Sequence, residues 1–123
     1  MWFRGDDRFP THPKVLAIPR DRRAAAVGVW YLSAVWSAGA LSDGFVPDHI
    51  LAEMVPDADK YRHDLVASGL WIDGVRSNGH VGIQFHDWSD YNPLRVEVEK
   101  EKQIKAARQR RYRERRSKPD GDA

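Results

Sequence analysis

The chain has 123 residues, 31% charged and 41% hydrophobic, a length that fits one small domain plus an appendage. It contains no Cys, so disulfides and thiolate metal sites are excluded, and it offers no run of about 18 apolar residues that would read as a membrane span. The formal charge of +2 hides an asymmetry: residues 1–94 carry nine Lys or Arg against twelve Asp or Glu, while residues 95–123 carry eleven against six. A mildly acidic body is therefore joined to a basic end. The opening Met1-Trp2-Phe3-Arg4-Gly5-Asp6-Asp7 lacks the basic-then-apolar pattern of a signal peptide, and the lack of Cys suits a reducing interior; the expectation is a soluble cytoplasmic protein.

All five Trp (Trp2, Trp30, Trp36, Trp71, Trp88) precede residue 94, so the core is expected there. A first strand is expected at residues 1–4. Thr11 then reads as the N-cap of a short helix over residues 14–18, with Pro13 in its first turn and Pro19 ending it. Asp21 reads as the cap of a longer helix, whose Val27, Tyr31, Ala34, Val35 and Ala38 recur at steps of three and four and which Gly39 closes. Ser42-Asp43-Gly44 is turn chemistry, Phe45-Val46 suits a short extended segment, and Pro47-Asp48 opens a brief helix carrying Ile50, Leu51 and Met54. After the break at Pro56, Asp57 can cap a further helix with the stripe Tyr61, Leu65, Val66, Leu70 and with Gly69 at its end. Residues 71–76 and 80–86 flank Ser77-Asn78-Gly79, a strong hairpin signal, and Val81, Ile83 and Phe85 share one strand face. Residues 87–93 read as a loop leading to a long helical tract from Leu94.

Helices, a short strand, two more helices and a hairpin are the serial order of a winged helix-turn-helix, with the hairpin as wing. The expected fold class is thus α+β, mainly α with a small β-hairpin, followed by a long C-terminal basic helix. The expected organisation is a winged-helix domain at 1–93, a basic helical arm at 94–117 and a disordered tail at 118–123.

Several segments carry a family likeness: Met1-Trp2-Phe3-Arg4 with Asp6-Asp7; His12-Pro13-Lys14-Val15; Leu41-Ser42-Asp43-Gly44-Phe45-Val46-Pro47; Leu65-Val66-Ala67-Ser68-Gly69-Leu70-Trp71; and Phe85-His86-Asp87-Trp88 with Tyr91-Asn92-Pro93. In their order, over residues 1–94, the sequence resembles the N-terminal winged-helix domains of phage and prophage replisome-organiser proteins, which are related to DnaD-type replication initiators, in the form found in actinobacterial phages. The resemblance implies a winged-helix fold, a role in starting replication, and DNA or replication proteins (a helicase loader or an initiator) as partners. It also implies pairing of two copies through N-terminal elements, with Trp2-Phe3 as a contact.

Between Lys105 and Arg116 lie seven Lys or Arg and one acid, Glu114. Lys105, Arg108, Arg110, Arg111, Arg113, Arg115 and Arg116 are candidates to neutralise phosphates, with Tyr112 able to stack on a base or enter a groove. Arg dominates over Lys, and guanidinium forks match phosphate oxygens. The competing reading is a solvated tail. Just before this run, Glu101 stands four residues ahead of Lys105, a favourable helical pair, while apolar residues are too few for a coiled-coil seam.

The helix expected at residues 58–68 would be the recognition helix, yet it offers only Lys60, Arg62 and His63 against Asp59 and Asp64, so a protein contact there is as well supported as base readout. Arg76 and the wing tip could touch a backbone. His86-Asp87 with Asp6-Asp7 are residue types that hold a metal or form a nuclease centre, but no third ligand stands at a recognisable spacing and no Lys is placed to assist. A side-chain hydrogen bond fixing the strand exit is the simpler account. No phosphate-binding glycine loop or nucleophile elbow is present. The expectation is a non-enzymatic DNA-binding adaptor in phage or prophage replication, without cofactor, metal or membrane partner. Its rivals are a transcription regulator of the same fold and a protein-interaction module for a replication factor.

Overall fold

The computed structural model describes residues 7–91 and 94–117 and divides the chain into two units, Met1–Asn92 and Pro93–Ala123. The strand expected at residues 1–4, the Trp2-Phe3 contact, Asp6 and the tail at 118–123 lie outside the described residues. The first unit is built of helices around a three-stranded antiparallel sheet, so the chain is mainly helical with a small β component.

A 3-10 turn, Phe9–Thr11, with Pro10 as its second residue, precedes the first α-helix, α1, Pro13–Leu16. This displaces the expected cap by one residue. His12 is the N-cap, its Nδ1 accepting the Lys14 N–H at 3.1 Å, while the Thr11 hydroxyl donates back to the Arg8 carbonyl at 3.3 Å. Pro13 fits directly behind His12 because a first-turn residue has no intrahelical acceptor for an N–H.

Helix α2 runs Arg23–Ala40. Asp21 does not cap it. A turn closed by the Arg22 N–H on the Pro19 carbonyl at 3.0 Å leaves Asp21 exposed beside Arg22. Nor does Gly39 end it: the helix passes through Gly39 and stops at Leu41, which takes the left-handed conformation (φ 53°). The buried face is Ala26, Val29, Ser33, Ala34, Ser37 and Ala38, whereas Tyr31 and Val35 of the expected stripe are exposed. Small side chains let the neighbouring elements approach, and Ser37 is inside because its hydroxyl has work there. Its Oγ accepts the Gly44 N–H at 2.8 Å and lies 2.6 Å from Ser42 Oγ, which donates to the Phe45 carbonyl at 2.7 Å. A buried face carrying hydroxyls is invisible to a count of apolar residues.

Strand β1, Phe45–Pro47, leads into α3, Asp48–Met54, and then α4, Ala58–Ala67. Asp57 precedes α4 in the left-handed conformation and makes no side-chain cap. The far end closes as expected at Gly69: the Gly69 N–H bonds the Val66 carbonyl and the Leu70 N–H bonds the Leu65 carbonyl, both at 3.1 Å. Strands β2, Trp71–Ser77, and β3, His80–Phe85, form the expected hairpin. Asn78 (φ 49°) and Gly79 (φ 80°) supply the two consecutive positive φ angles that a tight two-residue hairpin turn requires.

The sheet order is β1-β3-β2, with Val46 opposite Ile83 and Trp71 opposite Phe85. Gly82 makes this pairing sterically feasible, since a Cβ there would stand 2.1 Å from the Val46 carbonyl oxygen. The β2–β3 register is interrupted between Ile72 and Val75, a bulge that holds Asp73 and Gly74.

Aromatic rings gather around Phe85: its centroid lies 5.6 Å from Trp30, 5.8 Å from Trp71 and 5.3 Å from Trp88, and Phe9 stacks on Trp30 at 4.3 Å. Leu65, Ile83, Val46, Ile18 and Leu51 are buried as well. Each such large side chain contributes about 1.5–3 kcal/mol relative to an exposed one. Burial of Trp88 turns part of the expected loop at 87–93 into a short helix, α5, Trp88–Tyr91.

The second unit is helix α6, Arg95–Ser117. Unbranched Glu, Lys, Gln and Arg side chains lose little rotamer freedom in a helix. The i,i+4 ion pair closed in its first turns is Arg95 with Glu99, at 3.0 Å.

Candidate nucleic-acid interface

Helical geometry sorts the basic residues of α6 by direction. At about 100° per residue, Lys105, Arg108, Tyr112, Arg115 and Arg116 fall within roughly one third of the circumference, with Arg111 and Arg113 flanking them. Arg110 points to the other side, next to Glu114. All of these side chains are exposed. From Lys105 to Arg116 the helix rises about 16 Å, so the cationic face spans several phosphates of a nucleic-acid strand. Tyr112 sits in its middle, 61% exposed, with the Arg116 guanidinium 5.7 Å from the ring centroid. Arg108, Gln109, Tyr112, Arg113 and Arg116 line one shallow concavity.

Like charges at i,i+3 (Lys105 with Arg108, Arg108 with Arg111, Arg110 with Arg113, Arg113 with Arg116) and at i,i+4 (Arg111 with Arg115) each cost a helix roughly 0.2–0.5 kcal/mol. A bound polyanion relieves that repulsion, because each phosphate replaces a repelling neighbour with an attracting one.

The body residues singled out from sequence are placed differently. Lys60 is exposed on α4, its Nζ 5.8 Å from the Tyr61 ring. Arg62 is held between two carboxylates: Nε and Nη2 donate to Asp73 Oδ1 at 2.9 and 2.5 Å, and Nη1 donates to Asp48 Oδ1 at 2.7 Å. Its side chain is 16% exposed. Arg62 thus ties α4 to the start of α3 and to the β2 bulge, and a base edge would have to compete with both carboxylates for its donors. The bulge is what aims Asp73 at Arg62, while the Gly74 N–H donates to the same carboxylate at 2.8 Å. Hydrogen bonding by Arg62 holds the Asp73 carboxyl below its ordinary range. Arg76 is exposed on β2, opposite Val81 in the hairpin. Lys60 and Arg62, two residues apart, point in different directions from α4.

A second clamp secures the same helix from its other side. Arg22 Nε and Nη2 donate to the two oxygens of buried Asp64 at 2.8 and 3.1 Å, and this bidentate hydrogen bonding keeps the Asp64 carboxyl below the usual carboxylate range. Helix α4 therefore spends one Arg and one Asp on fastening itself to α2, α3 and β2. Leu51, Val55 and Pro56, together with Asp48, Asp57, Asp59, Lys60 and Arg62, line a groove between α3 and α4.

His86 and Asp87 do fix the strand exit, with Nδ1 2.6 Å from Oδ1. Contrary to the sequence reading, a Lys is brought to them: Lys14 Nζ of α1 donates to Asp87 Oδ2 at 2.9 Å and lies 3.3 Å from His86 Nδ1. The 73 residues separating Lys14 from Asp87 hid this pairing, as no local spacing connects them. The Lys14 hydrogen bond, with His86 adding to it, lowers the Asp87 carboxyl from its ordinary value. Among the described residues no group of three or more His, Asp or Glu is placed to hold a metal ion, and no helix is long and apolar enough to cross a membrane.

No family model, curated protein or solved structure matches this chain.

Proposed function

We propose that the chain is a DNA-binding adaptor of winged helix-turn-helix type acting in the initiation of phage or prophage DNA replication, in which α6 grips phosphates and the body docks a partner. The exposed cationic face of α6 carries this reading. Arg108, Arg115, Arg116 and Lys105 are aligned along one side of a helix, away from the opposing charge of Glu114, and guanidinium forks are suited to phosphate oxygens. The order of helices, the short strand β1 and the hairpin β2–β3, paired as β1-β3-β2, supports the winged-helix assignment, with α3 and α4 as the turn-separated pair and residues 77–80 as the wing tip.

The clamp on Arg62 and the aspartates lining the α3–α4 groove favour a body that engages a protein, such as a helicase loader or initiator, over one that reads bases in a major groove. Binding through α6 then reads charge, and sequence specificity, if required, comes from the docked partner. A transcription regulator of the same fold would instead protect one defined DNA site.

The test is DNA binding by the full chain, followed by fluorescence anisotropy with duplexes of unrelated sequence. Replacing Arg108, Arg111 and Arg115 together with Glu should abolish measurable binding at moderate salt while circular dichroism and the urea midpoint of the body stay unchanged. Undiminished affinity in that variant refutes the assignment of α6.

A further inference from the structure

The placement of Tyr112 points to a preferred form of nucleic acid. It is the lone aromatic residue of α6, and it stands at the centre of the cationic face, with Arg108 one turn before it and Arg116 one turn after. Each lies about 6 Å along the axis from the ring. The ring is 61% exposed, and the Arg116 guanidinium 5.7 Å from its centroid is the cation–π partner shown for it. Nothing about helix formation asks for a Tyr here, since Ala or Lys would serve α6 better.

A duplex has little use for such a ring. Its bases are stacked on each other with their faces covered, so it offers phosphates and groove edges, and the guanidinium groups satisfy those equally well whatever stands at position 112. An unpaired strand offers free base faces. A base laid on the Tyr112 ring extends the arrangement begun by Arg116, and stacking of this kind accepts any base because every base has a π-face. The phosphates on either side of the stacked nucleotide fall toward Arg108 and Arg116. Gln109, in the same concavity, carries both an amide donor and a carbonyl acceptor for a base edge.

We infer that α6 takes single-stranded nucleic acid in preference to duplex, with one base stacked on Tyr112 between phosphates held by Arg108 and Arg116. This rests on the reading of α6 as a phosphate-binding helix and adds to it the class of strand.

The experiment uses the full chain and anisotropy of labelled oligothymidylate, oligouridylate and a mixed-sequence duplex, each about 12 units long, within the roughly 4–16 nucleotide reach of known single-strand grooves. Tyr112→Ala should weaken binding of the single strands about tenfold, the effect of losing one stacked base, and change duplex affinity less than about twofold. Tyr112→Phe keeps the ring and should bind like the original chain, which separates stacking from hydroxyl hydrogen bonding. The larger loss among DNA and RNA strands names the source. Equal losses on single strands and duplex, or none on either, overturn the inference even if salt-sensitive binding persists. Failure of the unsubstituted chain to bind any of the three overturns instead the phosphate-binding reading beneath it.

Discussion

Gly82→Ala should be among the most damaging single-methyl additions available to this fold. An added Cβ at residue 82 lies 2.1 Å from the Val46 carbonyl oxygen and 2.8 Å from Pro47 Cα, both backbone atoms of β1 that no rotamer change can move. An ordinary C···O contact is about 3.3 Å, so β1 has to retreat by more than about 1 Å. That stretches the ladder around Val46–Ile83 and Pro47–Gly82 beyond hydrogen-bonding range. Overpacking costs about 1–3 kcal/mol and about two lost backbone hydrogen bonds about 1 kcal/mol each, against roughly 0.4–1 kcal/mol returned by the stiffer unfolded chain. The net expectation is a loss of about 2–4 kcal/mol, a large part of the roughly 5–15 kcal/mol that holds a small domain together. In urea, with a slope of about 1–3 kcal/mol/M, the midpoint should fall by about 1–2 M. Gly28→Ala is the control: it lies inside α2 with nothing within 4 Å of the added carbon and should stabilise by about 0.5–1 kcal/mol. A Gly82→Ala protein that unfolds within about 0.5 kcal/mol of the original would refute the closeness of β1 and β3.

Three carboxylates, Asp64, Asp73 and Asp87, have their folded pKa lowered by Arg22, Arg62 and Lys14 respectively. Their contribution to stability is therefore complete above the unfolded carboxylate value of about 3.9 and is lost as pH falls through the folded values. Thermal melts should decline on acidification below about pH 4, and Asp64→Asn should lower the melting temperature at neutral pH while flattening the acid decline; an equally steep decline in that variant contradicts the Arg22 pairing. Ser33 is fully buried in α2 and its Oγ has no hydrogen-bond partner among the described residues, so Ser33→Ala, which removes a stranded hydroxyl and improves helix propensity, should raise stability by about 1 kcal/mol in urea melts. Destabilisation there would mean that the hydroxyl is satisfied in solution.

Much of the architecture was legible because its signals are local. Asn78-Gly79 between alternating strands announced the hairpin, Gly69 the end of α4, and Pro47-Asp48 the start of α3. Helix caps were read less well, because a turn preceding the helix changes which residue faces the free N–H groups, as Pro10 does for His12 and Pro19 for Asp21. The buried face of α2 was read in part: Ala34 and Ala38 are inside as expected, but Ser33 and Ser37 join them while Tyr31 and Val35 lie outside, which hydrophobicity alone does not prescribe. At the candidate interface, the basic run of α6 could be read directly because a helix turns spacing into direction. The occupation of Arg62 by Asp48 and Asp73 could not, since it depends on a bulge in β2 and on partners 14 and 11 residues away.

The central claim, that α6 binds nucleic acid through its phosphates, is tested most directly by the salt dependence of duplex affinity for the full chain. About six phosphate contacts, from Lys105, Arg108, Arg111, Arg113, Arg115 and Arg116, predict that log affinity falls against log salt concentration with a slope of about −5, and that each Arg→Ala substitution on the cationic face makes it shallower by about 0.9. A slope near zero, or one that these substitutions leave unchanged, would contradict the account.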